Sequence, residues 1–418
     1  MPLRRIAWVG PTPTVHGGAP FVGTQLLLGL ADAGTAIDCY INAPEDHVAD
    51  AVRAHEQIRI FSAASSWEWG RWYSRTPMGA FFSGHAARLK GQAHNVDRIV
   101  DEHRRLPYDV LYQFSQSEFT PLRRRRPQLP PIVVHPSTHA AGELRWHRAE
   151  ADLSRRAETR QKRAVARATL TARAALQRRE LPTADRVLGV SRRFTEHLAR
   201  DYGIPADRLG VVINPIDLAR FSPAGREVAP DGPLTVLFVS RMSVRKGVDQ
   251  VIALSHRLAD LEGRLRILLI GGATSWSDYR PLLADLNTAV AKYHPHIAPD
   301  ALADLMRTAD VLVQPSRYEP FGLTIAEALA SGLPVVASDE VGAIDGVAPE
   351  VCAVHAAGDV DALEQAVRDA LARARDPERG ARAARARREA ERLFAPERIV
   401  RTLAEELAAA AQRAVRAA

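Results

Sequence analysis

Short apolar runs alternate with longer segments whose apolar residues recur at helical spacing over nearly the whole chain. This is the pattern of a parallel sheet covered by helices. In the first half, the runs at 6–10, 36–41, 57–61, 109–114, 131–135, 186–190 and 209–213 predict strands. The rhythm pauses over 214–233, a stretch rich in Pro, Gly, Asp and Arg that reads as an interdomain linker. It restarts with a strand at 234–239, a helix at 247–261 and a strand at 265–270 that ends in Gly271 and Gly272. Further strands are expected at 310–314 and 334–337, with a helix at 359–374 behind them. The expected fold class is therefore α/β, with two Rossmann-like domains at 1–213 and 234–395. A last helical run, 396–418, has no strand after it to cross over to and is free to pack elsewhere. No repeat at solenoid period is present.

Composition agrees with two domains, because 418 residues are too many for one ordinary core. Hydrophobic content of 46% with 25% charged residues excludes a disordered chain. No apolar run is long enough to span a bilayer, and Met1-Pro-Leu-Arg-Arg5 runs straight into the first strand without an apolar signal core, so the expected location is cytoplasmic. Cys39 and Cys352 fall one in each domain, which supports neither a disulfide framework nor a cysteine metal site. The net charge of +7 suits an anionic partner such as a nucleoside diphosphate, an acidic lipid surface or a nucleic acid, without choosing among them. Much of it lies in the arginines at 123–126 and in a helical stretch at 142–181. Glu143, Glu150, Asp152, Glu158 and Glu180 intersperse that stretch, so it reads as a solvated helix face, with peripheral membrane contact as a secondary reading. No nucleic-acid module is recognisable, and no nucleic-acid partner is expected. The pattern specifies no oligomer.

The candidate chemistry begins between Tyr318 and Ser338. Glu319 falls on a loop and Glu327 in the first turn of a short helix that Thr324 would cap. The amides of Phe321, Gly322 and Leu323 lead into the positive end of that helix, where a phosphate is stabilised by unpaired N–H groups. Gly332 then stops the helix and Pro334 opens a strand. Two readings of Glu327 stand side by side: a capping box with Thr324, or a carboxylate facing a ligand. Arg241 and Lys246 follow the strand at 234–239, at a carboxyl end where open sheets bind ligands; an ordinary basic surface loop is the alternative. Gly17 and Gly18 follow the first strand and allow close backbone approach, although they lack the spacing of a dinucleotide fingerprint and also suit a tight turn. His135 ends the strand at 131–135 and His139 lies just beyond it. Trp67, Trp69 and Trp72, with Tyr73, Phe81 and Phe82, suit the apolar face of a sugar or cyclitol, or packing under a loop. Asp359-Val-Asp361 opens a helix, where Asp is a normal cap, so no metal is assigned.

From Arg241 onward, and most strongly over 310–342, these segments resemble the retaining GT-B glycosyltransferases of family 4, glycosyl transferases group 1. In that family the two acidic residues lie eight positions apart, as Glu319 and Glu327 do. The resemblance implies that Glu327 holds the ribose of a nucleotide, that Glu319 contacts the donor sugar, and that Arg241 and Lys246 grip the diphosphate. It also implies a double-glycine loop, here His16, Gly17 and Gly18, lining the cleft near donor phosphates and acceptor. His139 matches the family's active-site histidine more closely than His135 does, and the tryptophans would shape the acceptor pocket. The implied fold has two sheets facing across a cleft, with the last helix returning to the N-terminal domain. The implied reaction moves a sugar from a nucleoside diphosphate donor, such as a UDP-sugar, to a hydroxyl of a small acceptor with retention, using no cofactor and no metal. Two departures stand out: Pro215 follows Asn214 where a Gly is usual, and Val341-Gly342-Ala343 replaces a Gly-Gly pair. An epimerase or phosphorylase of the same fold is the nearest alternative, and a basic nucleic-acid-binding protein a remote one.

Overall fold

A computed structural model describes residues 3–15, 17–63, 71–72, 75, 77–223, 232–273 and 278–417. Thirteen strands among them form two sheets. The first sheet holds β1 (Arg5–Val9), β2 (Ala36–Ile41), β3 (Ile58–Ser62), β4 (Val110–Ser115), β5 (Ile132–Pro136), β6 (Arg186–Gly189) and β7 (Leu209–Val211). The second holds β8 (Leu234–Val239), β9 (Leu265–Ile270), β10 (Ala291–His294), β11 (Val311–Gln314), β12 (Val335–Ser338) and β13 (Cys352–His355). Their orders are β3-β2-β1-β4-β5-β6-β7 and β10-β9-β8-β11-β12-β13, and every pairing is parallel. The chain direction across each sheet reverses at β1/β4 and at β8/β11, and such switch points open a crevice at the carboxyl ends of the strands.

The helices of the first half are α1 (Ala19–Asp32), α2 (Asp50–Arg53), α3 (Pro77–Arg105), α4 (Thr120–Arg124), α5 (Ala140–Ala149), α6 (Ala151–Ala157), α7 (Arg160–Glu180) and α8 (Arg192–Tyr202). Those of the second half are α9 (Val248–Arg257), α10 (Pro299–Thr308), α11 (Leu323–Ala330), α12 (Val360–Arg373), α13 (Arg379–Phe394) and α14 (Pro396–Ala417). Two parallel-sheet Rossmann-like domains, as the hydrophobic pattern implied, are what the chain forms. Strands β10 and β13 were not expected. Both are edge strands of four residues that include exposed or half-buried positions; β10 lacks an apolar run, and the apolar run of β13 is only four residues, Val351–Val354. The single helical stretch expected at 142–181 is three helices. Thr159 restarts the chain as α7 by accepting a hydrogen bond from the Lys162 amide at 3.3 Å.

The basic character of that stretch is partly absorbed by its packing. Arg173 pairs with Glu118 at 2.6 Å, and Glu180, fully buried, accepts from the Phe119 amide at 2.8 Å and from the Thr120 hydroxyl. Helix α14 lies against the first sheet. Its Ile399, Val400, Leu403, Leu407 and Ala410 share one core with Trp8, Leu26 and Tyr112, and Arg186 of β6 clamps Glu406 through two bonds of 2.7 and 2.9 Å. No helix of the described residues is long and apolar enough to cross a membrane.

Candidate active site

The carboxyl ends of the two sheets meet. Lys246 is delivered there by a tight turn after β8, Val244–Lys246, which ends at Gly247 with φ of +75°. A Cβ on Gly247 would lie 2.2 Å from the Pro315 carbonyl oxygen, so only glycine lets this turn close on the end of β11. The Lys246 ammonium meets the Glu319 carboxylate, both side chains being about nine-tenths enclosed. Burial, with Arg245 and Arg241 nearby, pulls the Lys246 pKa well below its ordinary value, while Glu143 opposes that shift. Arg241 itself is exposed.

Glu319 is fixed through its backbone and its side chain. Its amide donates to Glu340 at 3.2 Å and its carbonyl accepts from Gly342 at 3.0 Å, while its carboxylate accepts from Gln314 Nε2 at 3.1 Å. Of the glycine pair usual in the family, Gly342 is the one the packing requires: a Cβ there would sit 2.3 Å from both the Pro320 oxygen and Ser191 Oγ.

Helix α11 starts differently from the expectation. Gly322, with φ of +103°, is the residue before the helix, and Thr324 lies inside it. The Thr324 hydroxyl caps nothing; it donates to Gln314 Oε1 at 2.8 Å. Gly322, standing at the cap position, has no side chain with which to cap. The capping-box reading of Glu327 falls with it, since Glu327 is then the fifth helical residue and not the third. No donor among the described residues is recorded on the Glu327 carboxylate, and burial pushes its pKa up to about 7 against the pull of Arg220. Phe321 contributes only backbone to this end of the helix, because its ring is buried in the core, edge-on to Phe394 at 5.9 Å.

From the other domain, Gly17 has φ of +96° and Gly18 precedes α1. A Cβ on Gly18 would come within 3.7 Å of Leu323 Cδ1, which sets the double-glycine loop against the start of α11. Ser191 Oγ donates to the Pro320 carbonyl at 2.7 Å, and Arg317 reaches Glu150 at 2.7 Å as well as Asp249 at 2.7 Å.

Both histidines are bound up within the fold. His139 is enclosed, 1% exposed, with Nε2 against Asp201 Oδ2 at 2.8 Å and Nδ1 against the Tyr318 hydroxyl. Burial lowers its pKa, with Asp201 opposing. The neutral ring therefore donates Nε2–H to the carboxylate and accepts from Tyr318 at Nδ1, which leaves no ring nitrogen for a substrate in this arrangement. His135 is structural: Nε2 donates to the Val212 carbonyl at 2.9 Å, Nδ1 accepts from the Tyr112 hydroxyl at 2.6 Å, and burial lowers its pKa to about 4. Trp72 is 83% exposed and so walls no enclosed pocket; His16, Trp67 and Trp69 lie outside the described residues. Asp359 caps α12 by accepting from the Ala362 amide at 2.9 Å, and Asp361 pairs with Arg257.

Three residues of the site were not singled out from the sequence. Arg245 sits between Arg241 and Lys246 and faces Glu143 of the opposite domain at 3.9 Å. Tyr318 bonds His139 across the cleft, and Gln314 bonds both Glu319 and Thr324. Their type and spacing carry no signal; only the Arg-Lys sequence at 245–246 hinted at one of them. A cavity of about 460 Å³ opens beside the carboxyl end of β4, lined by Gln92, Gln116, Glu118, Thr120, Arg124 and Leu176 among others.

Two facing Rossmann-like domains, with cations and carboxylates of the second gathered at its switch point, define the GT-B class. A sucrose-phosphate synthase from Thermosynechococcus elongatus has the same fold, with a TM-score of 0.71 at 21% identity over 96% of this chain and 98% of that one. So has HepE from Anabaena, solved in complex with UDP and glucose, with a TM-score of 0.65 at 19% identity over 97% of this chain and 100% of that one. Residues 224–387, which hold Lys246, Glu319 and Glu327, match the family model described as glycosyl transferases group 1, and the resemblance is borne out there. The D-inositol 3-phosphate glycosyltransferase of Rhodococcus opacus is 32% identical over 169 residues, which span 37% of this chain and 38% of that relative. The chain thus spans about two-fifths of the length of the first curated relatives it matches.

Proposed function

We propose that this protein transfers a sugar, with retention at the anomeric carbon, from a nucleoside diphosphate donor to a hydroxyl of a small polyol acceptor. The observation that carries this reading is the enclosed Lys246–Glu319 pair on the loop that leads into α11, the helix that carries the buried Glu327 carboxyl. Departure of a diphosphate builds negative charge that must be met by preorganised positive groups. Lys246, Arg241, Arg245 and the first amides of α11 supply them without a metal or cofactor. Glu327 accepts from the ribose hydroxyls, replacing the partner the folded chain lacks. Glu319 orients the sugar, and His139 acts as a positioning residue that holds Tyr318 and the Glu319 loop. The acceptor approaches from the first domain, whose double-glycine loop lies against the start of α11. The names of the relatives support a UDP-linked donor and an inositol phosphate acceptor.

The test is incubation with a panel of nucleoside diphosphate sugars and polyols, D-inositol 3-phosphate among them, with NMR of the product's anomeric coupling. A new glycosidic bond of the donor's configuration is expected. Lys246→Met and Glu319→Gln should each lose on the order of 100-fold in turnover or more. Hydrolysis alone, epimerisation of the donor sugar, or full activity in both variants would refute the reading.

A further inference from the structure

The last residue of β11, Gln314, is 3% exposed and touches no open space, yet it stands between two parts of the site. Its Nε2 donates to Glu319 Oε2 at 3.1 Å and its Oε1 accepts from the Thr324 hydroxyl at 2.8 Å. The partners determine the orientation of the amide, because an ionised carboxylate can only accept, which leaves the amide oxygen for the hydroxyl. The next residue gathers the third part. The Pro315 carbonyl accepts from Gln250 Nε2 at 2.7 Å, and it is the atom against which Gly247 closes the Lys246 turn. Two consecutive residues therefore hold the cation turn, the sugar-side carboxylate and the first turn of α11 in one frame.

We infer that Gln314 is a positioning residue: it sets the Glu319 carboxylate relative to the anion-binding start of α11, so that the grip on the diphosphate and the placing of the sugar are linked through one amide. The inference rests on the transferase reading above. A phosphate drawing the first turn of α11 toward itself moves Thr324, and Thr324 carries Gln314 and Glu319 with it. Such a linkage matters for the sugar far more than for the nucleotide, since a misplacement of about 1 Å at a reacting centre costs about 100-fold in rate.

Gln314→Met keeps the length of the side chain and removes both hydrogen bonds. It should lower kcat for the sugar nucleotide about 100-fold while changing the affinity for the nucleoside diphosphate alone far less. Thr324→Val, which leaves Gln314 in place and removes only the hydroxyl on its amide oxygen, should lower kcat by less. Wild-type turnover is measured first. Its absence strikes the transferase reading itself, whereas a turning-over wild type with an unchanged kcat in Gln314→Met strikes only this inference. Parallel losses of kcat, nucleotide affinity and melting temperature in both variants would likewise overturn it, since they describe a general loosening of the fold.

Discussion

Glu327 and Lys246 are the two side chains whose protonation the fold disturbs most usefully. Burial lifts the Glu327 carboxyl to about 7 from an ordinary value of 4.5. Its folded pKa lies above the unfolded one, so the stability it contributes is complete below pH 4.5 and is lost as pH rises through 7. Glu327→Gln should therefore melt a few degrees above the wild type at pH 8 and at the same temperature at pH 4.5. A constant difference between the two pH values in thermal unfolding would contradict this. The same variant should bind a nucleoside diphosphate more weakly, and wild-type affinity should rise between pH 6 and pH 8, as the carboxylate gains the charge that accepts ribose hydroxyls. Calorimetric titration at the two pH values measures both effects.

The start of α11 shows how one conformation serves both shape and chemistry. Gly322 holds φ of +103° and a Cβ there would meet Val341 Cγ1 at 2.9 Å. Gly322→Ala should cost about 1–2 kcal/mol in denaturant unfolding and weaken nucleotide binding by displacing the first amides of the helix. Gly34 offers the control, because its φ of +88° is just as unusual while the space around it is open. Gly34→Ala should lose similar stability and leave nucleotide binding unchanged. Equal binding losses in the two variants would show that the helix start has no special part in binding. At the opposite edges of the second sheet, β10 and β13 are short, and each is held in place by its one parallel neighbour.

Across the whole molecule, two features join sequence-distant parts. Helix α14 returns its apolar face to the first sheet, where Leu403 is fully buried. Leu403→Ala should cost about 2–5 kcal/mol, read as earlier urea unfolding of the first domain. The cleft itself is held by Glu150 on Arg317, Glu143 beside Arg245, and Ser191 on Pro320. Glu150→Gln weakens the first of these, and small-angle scattering of the ligand-free variant should give a larger radius of gyration, diminished by added nucleoside diphosphate. An unchanged radius would show that the remaining contacts suffice.

The alternation of apolar runs and helical segments determined the two-domain α/β plan, because strands buried on both faces must be continuously apolar and the helices that cover them must be amphipathic. The order of Arg241, Lys246, Glu319 and Glu327 along the chain likewise determined that all four belong to the second domain. Tertiary structure alone decided the rest. Thr324 is suited to cap a helix, yet Gly322 takes that place, since the angle of entry depends on Val341 and Gly342 of another loop. His139 carries the letters of an active-site histidine, but Asp201 and Tyr318, distant in sequence, occupy both of its nitrogens. Gln314 has no motif at all; its amide bonds Glu319 and Thr324, five and ten residues on, only because the loop after β11 folds back over the strand end, and that return is set by packing, which a linear pattern does not encode.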